Sequence, residues 1–500
     1  MERKSCSALT RREFIRQAAC AAVGTLAMTS AIRDLRFMNA AVAQSNLTDY
    51  KALVCIFLLG GNDANNLIIP TLTSEYNSYA ASRTPVLAIP RGSTLPISAL
   101  NNDGHDYGLH PCCAELHNLF GAGRLAILFN TGTLVYPMTR AQYLSGSVQR
   151  PAQLFSHADQ VTQWQTSVPD QPALTGWGGR CADLLEAAQP GAPVSLSVTL
   201  SGANTFEVGN RVAQYSVSTS GAISLQNVTG TRLQALTNLL GLPYPNLQAQ
   251  AYADVASHAI DTSALLNSAI LTTADPSSTE QFWSTPFPGS GSFQVTTPTS
   301  GATFNSSLGP QLKMIARLIE AGHRSAANGG FGMKRQIFFC AVGGYDLHSA
   351  QTDVPLDGSV LNGAHANLLA ELSQCMNTFQ SAMDQIGSLH GDPGFPQRVT
   401  AFTCSDFGRT LPSNGQGSDH GWGNHHLIMG GAVNGQRTYG KFPALAVNGP
   451  DDTSTGRWIP TTACDQYFAT LATWFGVDHG NLATVLPNLG RFASSNLGFI

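Results

Sequence analysis

Residues 52–63 read Ala52-Leu53-Val54-Cys55-Ile56-Phe57-Leu58-Leu59-Gly60-Gly61-Asn62-Asp63. Eight apolar residues in a row, with no polar alternation, suit a strand buried on both faces, as in the interior of a parallel sheet. The run stops abruptly at two glycines and an acid. The same pattern recurs at Leu125–Asn130, Gln336–Val342, Val399–Thr403 and His426–Gly430, each ending near Gly, Asp, Ser or Asn. Helical periodicity fills the stretches between, at Cys112–Phe120, Gly309–Ala321, Ala364–Ile386 and Asp465–Phe475. Strands alternating with helices predict an α/β fold, a mostly parallel central sheet flanked by helices.

Composition agrees with a globular chain. Of 500 residues, 43% are hydrophobic and only 12% charged, about half the usual ~25%, so the surface must be largely Ser, Thr, Asn, Gln and Gly. Apolar segments recur throughout, which excludes a disordered chain. Two stretches break the pattern. Thr272–Phe304 is crowded with Pro, Ser, Thr and Gly and reads as a surface excursion or linker. Val194–Ser218 has the Ser/Thr/Val texture of antiparallel strands. Together they suggest a β-rich insertion over about residues 190–305.

The N-terminus reads as an address. Thr10-Arg11-Arg12-Glu13-Phe14 precedes a small apolar run from Ala18 to Ile32, and Ala41-Val42-Ala43 offers a cleavage site. This is a secretory signal over residues 1–43, and the paired arginines mark the twin-arginine type. Residues 44–500 would then be the folded protein, periplasmic or extracellular. That remainder, with 20 basic and 28 acidic residues, carries −8. A negative chain without a basic face argues against nucleic acid as partner. No apolar stretch of ~20 residues lies beyond the N-terminus, so no integral membrane span is expected. Cys55, Cys340 and Cys404 lie in or at the end of the strand-like runs, where cysteine acts as a small buried hydrophobe.

In open α/β sheets ligands bind beyond the carboxyl ends of the strands, so the residues just past each apolar run are the candidates. Asp63 follows the first run; it either meets a ligand or caps a tight turn. Gly343-Gly344-Tyr345-Asp346-Leu347-His348 follows the Gln336–Val342 run. Residues two apart in an extended segment face the same way, so Asp346 and His348 can converge on one ion, with donors that suit zinc, manganese or iron. Asp406 stands at the tip of the Val399–Thr403 run, and Arg409 beside it suits an anionic oxyanion or a structural ion pair. Ser418-Asp419-His420 and His425-His426 form the densest His/Asp region. Ser156, in Phe155-Ser156-His157-Ala158, is either a nucleophile or a helix N-cap.

Taken together, Gly60-Gly61-Asn62-Asp63, the G-G-Y-D-x-H-x-x-Q of Gly343–Gln351, Ser405–Thr410 and Ser418–Gly423 resemble a bacterial twin-arginine-exported family, domain-of-unknown-function family fifteen-oh-one, of the alkaline phosphatase and sulfatase superfamily. Gly108-Leu109-His110-Pro111 also fits. The likeness runs from about Lys51 to the C-terminus and is least over residues 190–305. It implies an alkaline-phosphatase-like fold and a centre of one or two divalent ions, with Asp63, Asp346, His348, Asp406 and His420 as ligands. Ser156 would be the nucleophile and Arg409 the anion holder. The sequence departs from the pattern at Phe407, where many phosphatases have His, which puts a second ion in doubt. The usual R-S-H-F here reads F-S-H-A, and no C-x-P-x-R of a formylglycine sulfatase occurs. The functional expectation is an exported metal-dependent hydrolase of small-molecule or polymeric phosphate or sulfate esters. The alternative is a non-catalytic exported scaffold or polymer-binding protein that retains the fold.

Overall fold

The computed structural model describes residues 47–189, 191–223, 225, 227–270, 293–354 and 358–500. Residues 1–43, read from the sequence as a twin-arginine signal, lie outside the described residues.

Ten strands form the central sheet: β1 (Lys51–Leu58), β2 (Leu125–Gly132), β3 (Ser197–Thr199), β4 (Tyr215–Ser218), β5 (Gly221–Ala222), β6 (Arg335–Val342), β7 (Val399–Ser405), β8 (Asn424–Gly430), β9 (Arg437–Tyr439) and β10 (Thr462–Ala463). Their order is β9-β2-β8-β7-β1-β6-β3-β4-β5, with β10 also on β2. The apolar stretch that opened the sequence is the central strand. From Ala52 to Leu58 every residue of β1 is buried, which is why it tolerates no polar alternation. β1 runs parallel to β6 and β7, and Leu58 is level with both Val342 and Ser405. Three carboxyl ends therefore finish at one edge, and the loops after them meet there. One contiguous core runs from Tyr50 to Phe499 beneath these elements. The cysteines from Cys55 to Cys464 are buried free thiols.

Two expectations need correction. The run His426–Gly430 is a sheet strand, but β8 is antiparallel to both β7 and β2. Between β7 and β8 the chain makes only a hairpin, Arg409–Ser413 against Ser418–His420, and no crossover helix. Without a crossover it re-enters at the edge it left and must run back. The segment read as a β-rich insertion is mostly not one. β3 and β4 are parallel to each other and extend the central sheet, and two helices follow, Thr231–Leu240 and the 23-residue Leu247–Ala269. The Asn246 side chain accepts from the Gln248 and Ala249 amides and starts the longer helix. Of the supposed linker, residues 271–292 lie outside the described residues. The rest forms a hairpin, Gln294–Thr296 against Thr303–Asn305, whose Val295 is buried in the main core.

Candidate metal centre

The turn after β1 is built by its glycines. Gly60 and Gly61 adopt φ of +113° and +84°, and a Cβ on them would meet the Asp346 amide and the Phe407 ring at 2.4 and 2.5 Å. Only glycine lets the loops after β6 and β7 close so tightly on β1. Gly60 N donates to Asp406 Oδ1 at 3.1 Å, tying two strand tips together.

On this platform four side chains converge. Asp346 and His348 project from the extended segment after β6, with His348 Nε2 3.2 Å from Asp346 Oδ1. His420 comes from the hairpin strand paired to Arg409; its Nε2 lies 2.9 Å from His348 Nε2 and 3.3 Å from Asp346 Oδ1. The fourth is His157, the first residue of helix His157–Thr166. Its Nε2 lies 3.1 Å from His420 Nε2 and 3.3 Å from Asp346 Oδ2. His157, Asp346 and His420 offer three ligand atoms all within 4.8 Å of one another.

The far side of each ring fixes what the near side presents. His157 Nδ1 lies 2.7 Å from Asp406 Oδ2, His348 Nδ1 3.0 Å from Asp419 Oδ1, and His420 Nδ1 2.7 Å from the Phe155 carbonyl. Carboxylates and carbonyls only accept, so each Nδ1 carries the proton and donates it. In the neutral rings His420 Nε2 then turns its lone pair toward those of His157 and His348, and all three face the Asp346 carboxylate. Such a convergence repels itself unless a shared proton or a metal ion sits within it. An outward N–H held by a carboxylate or carbonyl is also what metal-bound imidazoles show. The spacings fit: a tetrahedral centre with bonds of about 2.1 Å holds its ligands roughly 3.4 Å apart.

The remaining sequence candidates lie around this cluster. Asp406, almost fully buried, is committed to His157 Nδ1 and Gly60 N; burial pushes its carboxyl up against the opposing effect of these donors. Asp63 is buried outside the cluster, held by Arg83, Gln351 and Asn65. Burial alone would raise its carboxyl, but the Arg83 guanidinium keeps it below the ordinary range. Arg409 is also buried and donates from Nη1 to Asp346 Oδ1 at 3.0 Å; it stands behind the carboxylate and holds it. Against the pull of partial burial, this guanidinium and the imidazoles keep Asp346 below the ordinary carboxylate range. Ser156 is the N-cap of the His157 helix, and its Oγ donates to Asp159 Oδ2 at 2.6 Å. Burial also lowers the His420 ring.

Sequence reasoning did not pick out His157 as a member of the cluster. Its contacts with Asp406 and His420 span 249 and 263 residues, so no local spacing encodes them. It also did not pick out Arg457, whose Nε donates to the His420 carbonyl at 2.7 Å and whose guanidinium lies 4.1 Å from the Phe155 ring centroid. Phe155 has a left-handed φ of 74°, a conformation costly for a bulky residue. That turn aims its carbonyl at His420.

The chain belongs to the family described as protein of unknown function, DUF1501, whose model matches residues 50–484. No curated protein matches it significantly. Among the described residues no helix is long and apolar enough to cross a membrane.

Proposed function

We propose that this protein is an exported metal-dependent hydrolase of phosphate or sulfate esters, with an alkaline-phosphatase-like fold, reaching the periplasm or the cell exterior by the twin-arginine route. One observation carries the reading: His157, Asp346 and His420 bring three ligand atoms together, while the outer nitrogens of both rings are tied down. The centre is also open. The side chains of His157, His348 and Asp346 are 35%, 43% and 47% exposed, as a site that must admit substrate requires, whereas structural metal sites are closed.

A bound divalent ion supplies Lewis acidity toward the ester oxygens. The chain supplies the rest. Ser156, one residue before His157, is the nucleophile in this reading, and Asp159 takes its proton at 2.6 Å. The Oγ bonds to the phosphorus or sulfur as the alcohol leaves, and water then releases the inorganic anion. In this reading Arg457, whose Nε holds the His420 carbonyl, is the cation that offsets the departing charge. Its Nη groups make no protein hydrogen bond among the described residues and stack on Phe155, whereas the whole Arg409 side chain is enclosed.

The test is turnover of aryl phosphate monoesters, phosphodiesters and sulfate esters by protein reconstituted with zinc, manganese or iron. Turnover on at least one class is expected, lost on chelation and in Asp346→Ala and His420→Ala. Full metal occupancy with no turnover on any ester would overturn the hydrolase reading in favour of the non-catalytic scaffold.

A further inference from the structure

We infer that this centre holds a single ion, bound by a nitrogen-rich set of His157, Asp346, His348 and His420, and that the neighbouring carboxylates are closed to a second ion. This rests on the metal reading above and goes beyond it in ion number, ligand set and metal class.

Two triads can be drawn through the cluster, His157–Asp346–His420 and His348–Asp346–His420, with internal spacings of 2.9–3.3 Å. Both contain His420. Because the His420 Nδ1 proton is given to the Phe155 carbonyl, the ring has one lone pair left. A nitrogen lone pair binds one cation, so both triads serve the same ion.

The other carboxylates cannot assemble a second set of ligands. Asp406 divides its two between Gly60 N and His157 Nδ1. Asp63 is taken up by Arg83, Gln351 and Asn65, and Asp419 Oδ1 by His348 and Asn414, which leaves Asp419 Oδ2 as a single donor, too few to hold a second ion. Asp346 is already a ligand of the first ion, and its Oδ1 is also held by Arg409 at 3.0 Å. The space beside the imidazoles is filled by the buried Phe407 ring, 4.8 and 4.6 Å from the His157 and His420 ring centroids. Its other edge lies where a Cβ on Gly61 would be. Three imidazoles and one carboxylate favour zinc, iron(II) or cobalt over magnesium or calcium, which prefer oxygen. Asp406 is thus a positioning residue for His157.

The experiment strips the full exported chain with chelator and titrates it with zinc, and in parallel with cobalt(II) as a spectroscopic probe. Bound metal is measured by mass spectrometry and cobalt absorption. Wild type is expected to saturate at one equivalent. His157→Ala and His157→Gln should weaken binding at least a hundredfold. Asp406→Asn should still bind one equivalent, about 10- to 100-fold more weakly, with circular dichroism confirming folded protein. Two equivalents in wild type, falling to one in Asp406→Asn, would overturn the single-ion assignment and leave the metal reading standing. Magnesium binding in preference to zinc would overturn the ligand set. No bound metal of any kind would overturn the metal reading itself.

Discussion

Two arginine–aspartate pairs lie within the same strand-tip region and are built to opposite ends. Arg83 and Arg409 are both almost fully buried. Arg83 is saturated: it donates to Asn66, to the Thr410 and Leu411 carbonyls, and to Asp63, itself 2% exposed. Arg409 spends Nη1 on Asp346, while its Nε and Nη2 have no hydrogen-bond partner among the described residues. Asp346 is about half exposed and faces imidazoles. Both aspartates follow a buried parallel strand and a pair of glycines. What separates them is how many donors reach the carboxylate, and how much water does. The Asp63 pair is a structural rivet. The Asp346 pair is a mount that holds a half-solvated carboxylate beside the imidazoles.

The sharpest way to break that comparison is to remove each arginine in turn. Arg83→Met leaves an ionised, unpaired Asp63 in the interior and should cost about 3–5 kcal/mol in denaturant unfolding. A cost under about 1 kcal/mol would show that the pair is not what secures this turn.

Glu207 supplies the control of a buried carboxylate with no cation beside it. It is fully enclosed, with Oε2 on Asn204 and Oε1 without a well-formed hydrogen bond among the described residues, and burial pushes it up to about 8 from 4.5 against the smaller effects of Asn204 and the Val198 backbone. The fold therefore favours the protonated acid. That contribution is whole below about pH 4.5 and is lost as pH rises through about 8. Glu207→Gln, which cannot ionise, should unfold like wild type near pH 4.5 and gain roughly 1–3 kcal/mol by pH 8.5. Denaturant curves at the two pH values check this, and an equal difference at both would refute it.

How far the sequence revealed these contrasts depends on the range of the interactions. The strands were legible because burial on both faces leaves unbroken apolar runs, as in β1, β6 and β7. That Asp346 and His348 face one centre was legible because an extended backbone repeats every two residues. His157 was not, because a helix from the first third of the chain delivers it to loops more than 200 residues away. Asp63 and Asp346 looked alike because Arg83 and Arg409 declare nothing about which of their donors will be satisfied. The 190–270 region misled through composition. Its Ser, Thr and Val suggested strands, while the Asn246 cap and the alanines after it, which do signal a helix, were the better guide.

Arg409→Met should be far milder than Arg83→Met. Asp346 can recover hydration, and two partnerless buried donors are removed, so a change within about 1 kcal/mol is expected. Its effect should fall on the site instead, as weaker zinc binding through a less firmly held carboxylate. A stability loss matching that of Arg83→Met would erase the distinction between rivet and mount.

The smallest effect is expected at the most exposed support. Asp419 and His348 have side chains 49% and 43% exposed, so water competes for their hydrogen bond. Asp406, by contrast, is 2% exposed beneath His157. Asp419→Asn keeps an amide oxygen for the His348 N–H and for Asn414, and removes only a solvent-screened charge. Zinc affinity, measured by competition with a chromophoric chelator, should fall roughly two- to fivefold, the equivalent of an exposed pair worth up to about 1 kcal/mol. Asp406→Asn withdraws a charge that water cannot replace, so its loss should be several times larger. If the two substitutions weakened binding equally, exposure would not be what ranks the supports of this centre. The contrast between enclosed and solvated carboxylates would then apply to stability alone.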